Sequence, residues 1–243
     1  MLKVENLLKN YGKLEAVKGI NFTVRQGEIF GFLGPNGAGK TTTIKCCSGL
    51  LKPDSGKVQI CGRDITKEPV EAKKILGYVP EDPYLYNRLS GREFLKLISG
   101  VYMPQISPAE KERRINDILI EMQLMEKADE LIDSYSQGMR RKIALSAAFL
   151  HNPEVILLDE PTGGLDAISA RNAKNIFRKR ADQGGAVLIT THILEIAERI
   201  CDRIAIIYEG KVIAVGTLAQ LQDNAKNDNS STLEDIFVEL TNS

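Results

Sequence analysis

The sequence predicts an α/β fold with a mainly parallel sheet, and three patterns in its 243 residues support this prediction. Short apolar runs alternate with segments of helical period, as in strands that are linked by helices. Continuous apolar runs at residues 155–158 and 187–189 indicate strands that are covered on both faces. Residues 88–151 carry no strand pattern, so we expect an inserted helical subdomain between two halves of the core.

The two ends of the chain predict further elements. Residues 22–24 and 57–61 alternate between apolar and polar, which favours half-exposed strands of an N-terminal antiparallel β-subdomain. Residues 203–215 predict two strands joined by a hairpin turn. Residues 220–231 are polar and predict a linker, and residues 232–240 predict a short amphipathic C-terminal helix.

Helix starts in the insert are marked by polar side chains. Ser90 with Glu93 predicts a capping box, in which each residue bonds the backbone N–H of the other. Ser107 with Glu110 predicts a second capping box, strengthened by a proline at the first helical position.

Composition argues against several classes of protein. The chain carries 32 Lys+Arg and 32 Asp+Glu, and this balance argues against a generally basic nucleic-acid binder. The basic cluster at residues 171–180 is expected to be a solvated helix face. The longest apolar stretch, residues 204–208, is far shorter than the roughly 18 residues of a membrane span, and the first residues do not suggest a signal peptide. Four cysteines without C-x-x-C spacing predict reduced thiols rather than zinc or disulfides.

Residues 34–41 (GPNGAGKT) fit the phosphate-binding pattern G-x-x-x-x-G-K-[ST] at every position. They follow a predicted strand and precede a predicted helix, as in P-loop NTPases. The glycines let backbone N–H groups close around phosphate oxygens, and the helix N-terminus adds partial positive charge. We expect Lys40 to reach the β- and γ-phosphates and Thr41 to ligate Mg²⁺. The alternative is an ordinary glycine-rich βα turn.

Two carboxylates follow the apolar strand predicted at residues 155–158. Strands of a parallel sheet deliver side chains to a site at the carboxyl edge of that sheet. We therefore assign Asp159 to magnesium and Glu160 to the general base that activates water. The alternative, two surface charges at a strand end, is disfavoured by the phosphate loop in the same chain.

Together with further motifs, these residues resemble the ATP-binding cassette (ABC) ATPases over residues 2 to about 219. Residues 135–139 (YSQGM) stand where the family signature reads Leu-Ser-Gly-Gly-Gln. Residues 157–161 match the Walker B segment, Asp166 lies in the D-loop and His192 matches the switch histidine. The motifs occur in the order and spacing of the family.

The resemblance implies a role for each position. Ser136, Gln137 and Gly138 would bind the γ-phosphate of ATP held by another subunit, so that two ATP molecules are sandwiched head to tail. His192 would contact the γ-phosphate and form the catalytic set with Glu160 and Lys40. The expected nucleotide contacts are Tyr11, where an aromatic usually stacks on adenine, and Gly34, Pro35, Asn36, Gly37, Ala38, Gly39, Lys40, Thr41 and Thr42.

Three positions depart from the family pattern. Glu81 stands where the family usually has Gln, and as a carboxylate it joins Thr41 and Asp159 as an expected metal ligand. Gln137 and Met139 replace Gly and Gln of the signature, which allows weakened or partner-dependent hydrolysis. Glu81 and the ending LEDIF also resemble a bacterial subset of cassettes that drive export-type permeases.

The resemblance implies an ATP-binding and ATP-hydrolysing subunit of a multi-chain ABC transporter, an exporter that uses ATP and Mg²⁺. Residues 1–219 would form the ATPase domain, with residues 220–243 as a polar linker and a short helix. The partners would be a second cassette, identical or paired, and a separate integral-membrane permease, with no nucleic acid. The chain would then be cytoplasmic, on the inner face of the cell membrane.

The permease is expected to dock near Tyr84 and Tyr86, in a surface segment rich in rigid aromatics. The alternative is that these tyrosines fold back and cover the helical insert. Two other functions also stay open for the whole chain. One is a soluble cassette ATPase that acts on nucleic acid, ribosomes or an assembly scaffold, and the other is a nucleotide sensor that hydrolyses weakly.

Overall fold

The computed structural model of the chain describes residues 1–224 and 232–242. Its strands are β1 (Leu2–Tyr11), β2 (Leu14–Val24), β3 (Ile29–Leu33), β4 (Ser55–Ile60), β5 (Arg63–Asp64), β6 (Leu76–Val79), β7 (Val155–Asp159), β8 (Ala186–Thr191), β9 (Arg203–Tyr208) and β10 (Lys211–Gly216). Its α-helices are α1 (Lys40–Cys47), α2 (Pro69–Lys74), α3 (Gly91–Tyr102), α4 (Pro108–Glu121), α5 (Gln137–Phe149), α6 (Ala167–Asp182), α7 (Leu194–Ile200), α8 (Leu218–Asn224) and α9 (Leu233–Asn242). Within the described residues, no helix is long and apolar enough to cross a membrane.

Two sheets organise the fold. Five strands of the larger sheet run parallel in the order β9-β3-β8-β7-β6, and β10 joins its edge antiparallel to β9. The smaller sheet is antiparallel, in the order β2-β1-β4-β5. Between β9 and β10, Glu209 and Gly210 both have positive φ, 45° and 80°, as a two-residue type I′ turn requires. The predicted fold class, a mainly parallel α/β core with an antiparallel N-terminal part, is confirmed.

Alternate side chains of the central strands enter two apolar clusters, one on each face of the larger sheet. Ile156 and Leu158 of β7 pack with side chains from α3 to α6. Val155 and Leu157 of the same strand pack with α1 and the smaller sheet. Burial stabilises the fold by roughly 1.5–3 kcal/mol per large apolar side chain. Because both faces are covered, the carboxylates at the end of β7 have a firmly held backbone.

Two helices begin at the predicted caps. At α3, Ser90 Oγ accepts from the Glu93 N–H (3.2 Å) and Glu93 Oε2 accepts from the Ser90 N–H (2.8 Å), so this capping box is complete. At α4, Ser107 Oγ accepts from the Glu110 N–H (3.3 Å). The Glu110 carboxylate instead accepts from Arg114 one turn later (2.8 Å). The reciprocal half of this second box was wrongly predicted, because a charge-assisted bond to arginine competes with a neutral backbone N–H.

Residues 220–224 belong to α8, where the sequence predicted a polar linker. Thr217 starts this helix with a capping box, in which its Oγ1 accepts from the Gln220 N–H (3.2 Å) and Gln220 Oε1 accepts from the Thr217 N–H (3.0 Å). Leu221 is buried in a third apolar cluster. The linker prediction is therefore wrong for this segment, and residues 225–231 of it lie outside the described residues.

The C-terminal helix α9 also begins with a capping box. Thr232 Oγ1 accepts from the Asp235 N–H (3.3 Å), and Asp235 Oδ2 accepts from the Thr232 N–H (2.9 Å). Glu198 Oε1 of α7 accepts from the Leu233 N–H (2.6 Å). Leu233 and Ile236 are buried in the third apolar cluster, so α9 packs against α7.

The basic cluster on α6 is engaged in ion pairs. Arg178 donates to Asp202 (2.9 Å). Lys179 and Arg180 both contact the Glu121 carboxylate of α4, at 2.5 and 3.2 Å. Arg178, Lys179 and Arg180 therefore connect α6 to neighbouring elements and are less free than a solvated face implies, whereas Arg171 is exposed.

Candidate functional site

The predicted phosphate loop connects the buried strand β3 to α1. A Cβ on Gly34 would lie 2.3 Å from the Ile207 carbonyl oxygen, so a side chain has no room there. Gly39 has φ of 107°, and a Cβ on it would lie 2.5 Å from the Ala16 carbonyl oxygen. Both positions therefore require glycine. No side chain caps the first turn of α1, which leaves its backbone N–H groups for an anion.

Lys40 is held inside this loop. Its side chain is 7% exposed, and its Nζ donates to the carbonyl oxygens of Gly34 (2.6 Å) and Pro35 (3.1 Å). Burial lowers the pKa of Lys40, while the neighbouring carboxylates, Glu160 foremost, raise it. The ammonium group is thus a partly desolvated cation surrounded by oxygen atoms, and phosphate oxygens can replace the carbonyls as its acceptors.

Asp159 ends β7 and is 1% exposed. Its Oδ1 accepts a hydrogen bond from the Thr190 hydroxyl, because Asp159 and Thr190 are register partners on the adjacent strands β7 and β8. Its Oδ2 is buried and has no hydrogen-bond partner. Burial raises the pKa of Asp159, whereas Thr190, Thr41 and Lys40 lower it. An unpaired buried carboxylate oxygen needs a cation or a donor.

Glu160 is held by two side chains from the end of β8. Its Oε1 accepts from Nδ1 of His192 (2.8 Å), and its Oε2 accepts from the Thr191 hydroxyl (3.0 Å). Its backbone has φ of 47°, in the left-handed region, which turns this side chain away from the course of the strand. Glu160 and His192 thus form a hydrogen-bonded acid–base pair beside Asp159.

One cleft of about 260 Å³ joins most of the predicted site. Its lining includes Tyr11, Pro35, Asn36, Gly37, Gly39, Lys40, Thr41, Thr42, Glu81, Asp159 and Glu160. Gly34 and Ala38 belong to the same loop, and the Ala38 N–H donates to the Pro35 carbonyl (3.2 Å). His192 does not line this cleft, but its Nδ1 bonds Oε1 of Glu160, which does.

Apart from Gly34, Ala38 and His192, which lie beside this cleft, four predicted site residues do not line it: Ser136, Gln137, Gly138 and Asp166. The Ser136 hydroxyl caps α5 by accepting from the Met139 N–H (3.3 Å). A Cβ on Gly164 would lie 2.8 Å from the Gln137 side chain, so the start of α5 contacts the turn before Asp166. Asp166 caps α6, accepting from the Ser169 N–H (2.9 Å). These residues form a second surface, separate from the cleft of their own chain.

Comparison with known protein families matches residues 17–163 to the model described as ABC transporter. The chain belongs to the ABC transporter family. Both the phosphate loop and the two carboxylates of the cassette lie within the matched residues, and the family consists of ATPases that bind ATP.

Relatives and solved structures agree with this assignment. Linearmycin resistance ATP-binding protein LnrL of Bacillus subtilis (strain 168) is 41% identical, over 91% of this cassette and 70% of that protein. Nod factor export ATP-binding protein I of Burkholderia lata is 39% identical, over 87% of this cassette and 69% of that protein. A solved ATP-binding subunit of an ABC transporter is 34% identical with a TM-score of 0.92, covering 99% of both chains. The cassette MJ0796, solved as a dimer in a post-hydrolysis state with ADP and Pi, is 27% identical with a TM-score of 0.82, covering 90% of this cassette and 99% of that chain.

Sequence reasoning missed three residues that contact this region: Thr190, Thr191 and Arg141. The Thr191 hydroxyl donates to Glu160 Oε2 (3.0 Å). The Thr190 hydroxyl donates to Asp159. These two residues can be paired only when β7 and β8 are known to be neighbours in the sheet. Arg141 of α5 is 7% exposed and donates to the carbonyl oxygens of Pro80 (2.8 Å) and Glu81. The sequence does not indicate that Arg141 is buried, because an arginine on a helix is usually exposed.

We expect Tyr11→Ala to weaken ATP binding by about 1–3 kcal/mol, the usual effect of losing an aromatic–base contact. Tyr11 ends β1, lines the cleft and is 49% exposed, so its ring can take a base. Titration with a fluorescent ATP analogue measures the change. Tyr11→Phe keeps the ring and should bind like the parent. Equal affinity for Tyr11→Ala and the parent would leave Tyr11 as a simple strand end.

Proposed function

We propose that this cassette is the ATP-hydrolysing subunit of an export-type transporter and powers a separate membrane permease through ATP-driven dimerisation. The observation that carries this proposal is the cleft in which Lys40, Asp159 and the Glu160–His192 pair converge. A phosphate loop alone supports nucleotide binding. A carboxylate oriented by a histidine beside that loop adds a base for an attacking water.

The end of β7 fits Mg²⁺, which prefers oxygen ligands. The unpaired Oδ2 of Asp159 supports this fit, and Thr41 and Glu81 in the same cleft are the other proposed ligands. The described residues hold no cluster of three or more His, Cys, Asp or Glu side chains that could bind a metal ion. Phosphate and water oxygens would therefore complete the coordination, as is usual for Mg²⁺. When bound, Mg²⁺ neutralises charge on the phosphate oxygens.

Glu160 is the proposed general base, and His192 and Thr191 keep its two oxygens in place. From this position the carboxylate takes a proton from the water that attacks the γ-phosphate. Lys40 exchanges its carbonyl acceptors for β- and γ-phosphate oxygens and stabilises the charge that develops on them. His192 is 55% exposed on its side chain, so it can also reach the γ-phosphate.

Two copies are proposed to act together, head to tail. The capped start of α5, with Ser136, Gln137 and Gly138, lies outside the cleft of its own chain and is a helix N-terminus that suits an anion. A second subunit would bring this surface to the γ-phosphate. The dimeric structure of the related MJ0796 cassette supports this arrangement.

ATP turnover at increasing concentrations of purified protein tests the proposal. If two copies form each site, the rate per subunit should rise with protein concentration. ATP binding without turnover would favour the alternative, a nucleotide sensor, for which Gln137 and Met139 in the signature are the supporting observation. A permease that co-purifies from membranes would then separate the transporter from an ATPase that works on another target.

Export and a location at the inner face of the cell membrane are proposed from the relatives. One is named for Nod factor export and another for linearmycin resistance, and both are ATP-binding proteins. The permease is proposed to dock beside residues 83–89, which line a cavity of about 510 Å³ together with Arg140. Tyr84 in this segment is 101% exposed and does not fold back over the insert. Tyr86 is 61% exposed, but its ring centroid lies 6.2 Å from that of Phe94 in the insert, and Leu85 between the two tyrosines is buried.

We expect the double variant Tyr84→Ala/Tyr86→Ala to keep its fold and its ATP affinity and to lose co-purification with the permease. Both side chains are exposed, so their removal takes little from the core, while large exposed aromatics often anchor partners. Thermal unfolding, ATP titration and pull-down from membranes measure the three effects. Val70→Ala, an exposed apolar residue on α2, serves as the control. Normal permease binding by the double variant would place the docking surface elsewhere.

A further inference from the structure

Arg141 connects three segments around the nucleotide cleft. It lies on α5, one turn after the signature residues, and its guanidinium donates to the carbonyl oxygens of Pro80 and Glu81. Gly163, in the turn after β7, lies close to the same guanidinium: a Cβ built on this glycine would be 3.9 Å from it. The fork of an arginine fits this task because it can direct parallel N–H groups at two adjacent acceptors. Arg141 therefore fixes the backbone from which the Glu81 side chain enters the cleft.

The cleft also affects the stability of the Arg141 cation. Burial lowers the pKa of Arg141, and the carboxylates of Asp82, Glu81, Asp159 and Glu160 oppose this effect. Its hydrogen-bond acceptors are neutral carbonyls, and in the described residues it forms no ion pair within 4.0 Å. A buried cation without a direct counter-ion depends on the longer-range field of nearby carboxylates.

We infer that Arg141 is a positioning residue for ATP hydrolysis, which holds Glu81 at the nucleotide cleft and offsets the negative charge of its carboxylate. The carboxylates of Glu81, Asp159 and Glu160 line the same cleft as the phosphate-binding loop, so a carboxylate at residue 81 adds repulsion toward ATP. A second buried cation reduces that repulsion without occupying the cleft. The inference rests on the proposed function, because it concerns how the same site handles Mg²⁺ and ATP.

A double-mutant cycle between Arg141 and Glu81 tests this inference. The four proteins are the parent, Arg141→Gln, Glu81→Gln and the double variant, each assayed for kcat, KM and the Mg²⁺ concentration at half-maximal rate. We expect Arg141→Gln to lower kcat by about 10- to 100-fold, as misplacement of a site residue does. In the Glu81→Gln background, the fold-loss of kcat caused by Arg141→Gln should be roughly ten times smaller, because the carboxylate charge that Arg141 offsets is absent.

Arg92→Gln is the matched control. Arg92 of α3 is also a partly buried arginine, and it bonds Asn116 Oδ1 (2.6 Å) and Glu112 Oε1 (3.0 Å) of α4, within the helical insert and outside the nucleotide cleft. Its removal should leave kcat unchanged, with no coupling to Glu81→Gln. Arg141→Lys keeps the charge but not the fork, so it should fall between the parent and Arg141→Gln.

Several results would overturn the inference. An equal loss of kcat from Arg141→Gln in both backgrounds would give Arg141 a purely structural role, as would a loss explained by a lower unfolding temperature. Unchanged kcat and Mg²⁺ dependence would remove it from the reaction. If Arg141→Gln does not fold, Arg141→Lys replaces it in the double-mutant cycle with Glu81→Gln. If the parent itself does not turn over ATP, the proposed function fails, and the cycle is then measured by Mg²⁺-dependent binding of a fluorescent ATP analogue.

Discussion

In the Glu160→Gln variant, ATP turnover is expected to fall by about 10²–10⁴-fold while Mg²⁺–ATP binding is retained, which is the usual scale for loss of a general base. The amide has nearly the shape of the carboxylate and can still accept from Thr191, so the architecture at the end of β8 is kept. It cannot take a proton from water. The NH₂ group of the amide then replaces the oxygen that accepts from His192, so this bond persists only with Nδ1 of His192 as the acceptor.

The same variant should accumulate as an ATP-bound dimer, since in the proposed head-to-tail dimer hydrolysis separates the two subunits. Size-exclusion chromatography with ATP and Mg²⁺ measures the dimer, and a phosphate-release assay measures turnover. Glu195→Gln is the control, because Glu195 is an exposed carboxylate three residues beyond His192 and outside the cleft. Normal hydrolysis by Glu160→Gln would exclude Glu160 as the base.

Lys40→Ala is expected to abolish ATP binding. The change removes the one cation that lines the cleft among the described residues, and it also removes two hydrogen bonds that hold the loop, to Gly34 and Pro35. The β- and γ-phosphates would then face Asp159 and Glu160 with poor compensation, which favours dissociation. Titration with a fluorescent ATP analogue gives the affinity directly.

Thermal unfolding of Lys40→Ala separates this effect from a general loss of structure. Lys45→Ala, on the exposed side of the same helix, removes an equal charge away from the cleft and should bind ATP like the parent. Near-parental affinity in Lys40→Ala would contradict the assignment of the phosphate site.

Local patterns were enough to predict the phosphate loop, the strand that carries Asp159 and Glu160, and the serine N-caps of α3 and α4. Each of these depends on residues close together in the chain, where strand period, glycine and a capping side chain act directly. The pairing of Asp159 with Thr190 spans 31 residues, and it depends on which strands are neighbours in the sheet. Arg141 is harder still, because its partners at residues 80 and 81 are backbone carbonyls, which leave no mark in the sequence.

The errors have similar causes. The polar composition of the segment that begins at Gln220 predicts a linker, but a capping pair with Thr217 and the burial of Leu221 favour a helix. The spacing of Glu110 from Ser107 predicts a reciprocal cap, but Arg114 competes for the Glu110 carboxylate. In both cases a tertiary or charge–charge contact decided between two locally acceptable structures.

The left-handed backbone of Glu160 has an evolutionary consequence. At a φ of 47°, glycine and asparagine have a lower conformational energy than glutamate. Replacement by either residue would relax the chain and remove the carboxylate in the same step. With Glu160 as the proposed base, conformational energy therefore favours descendants without turnover, and selection for turnover keeps an acid at this position.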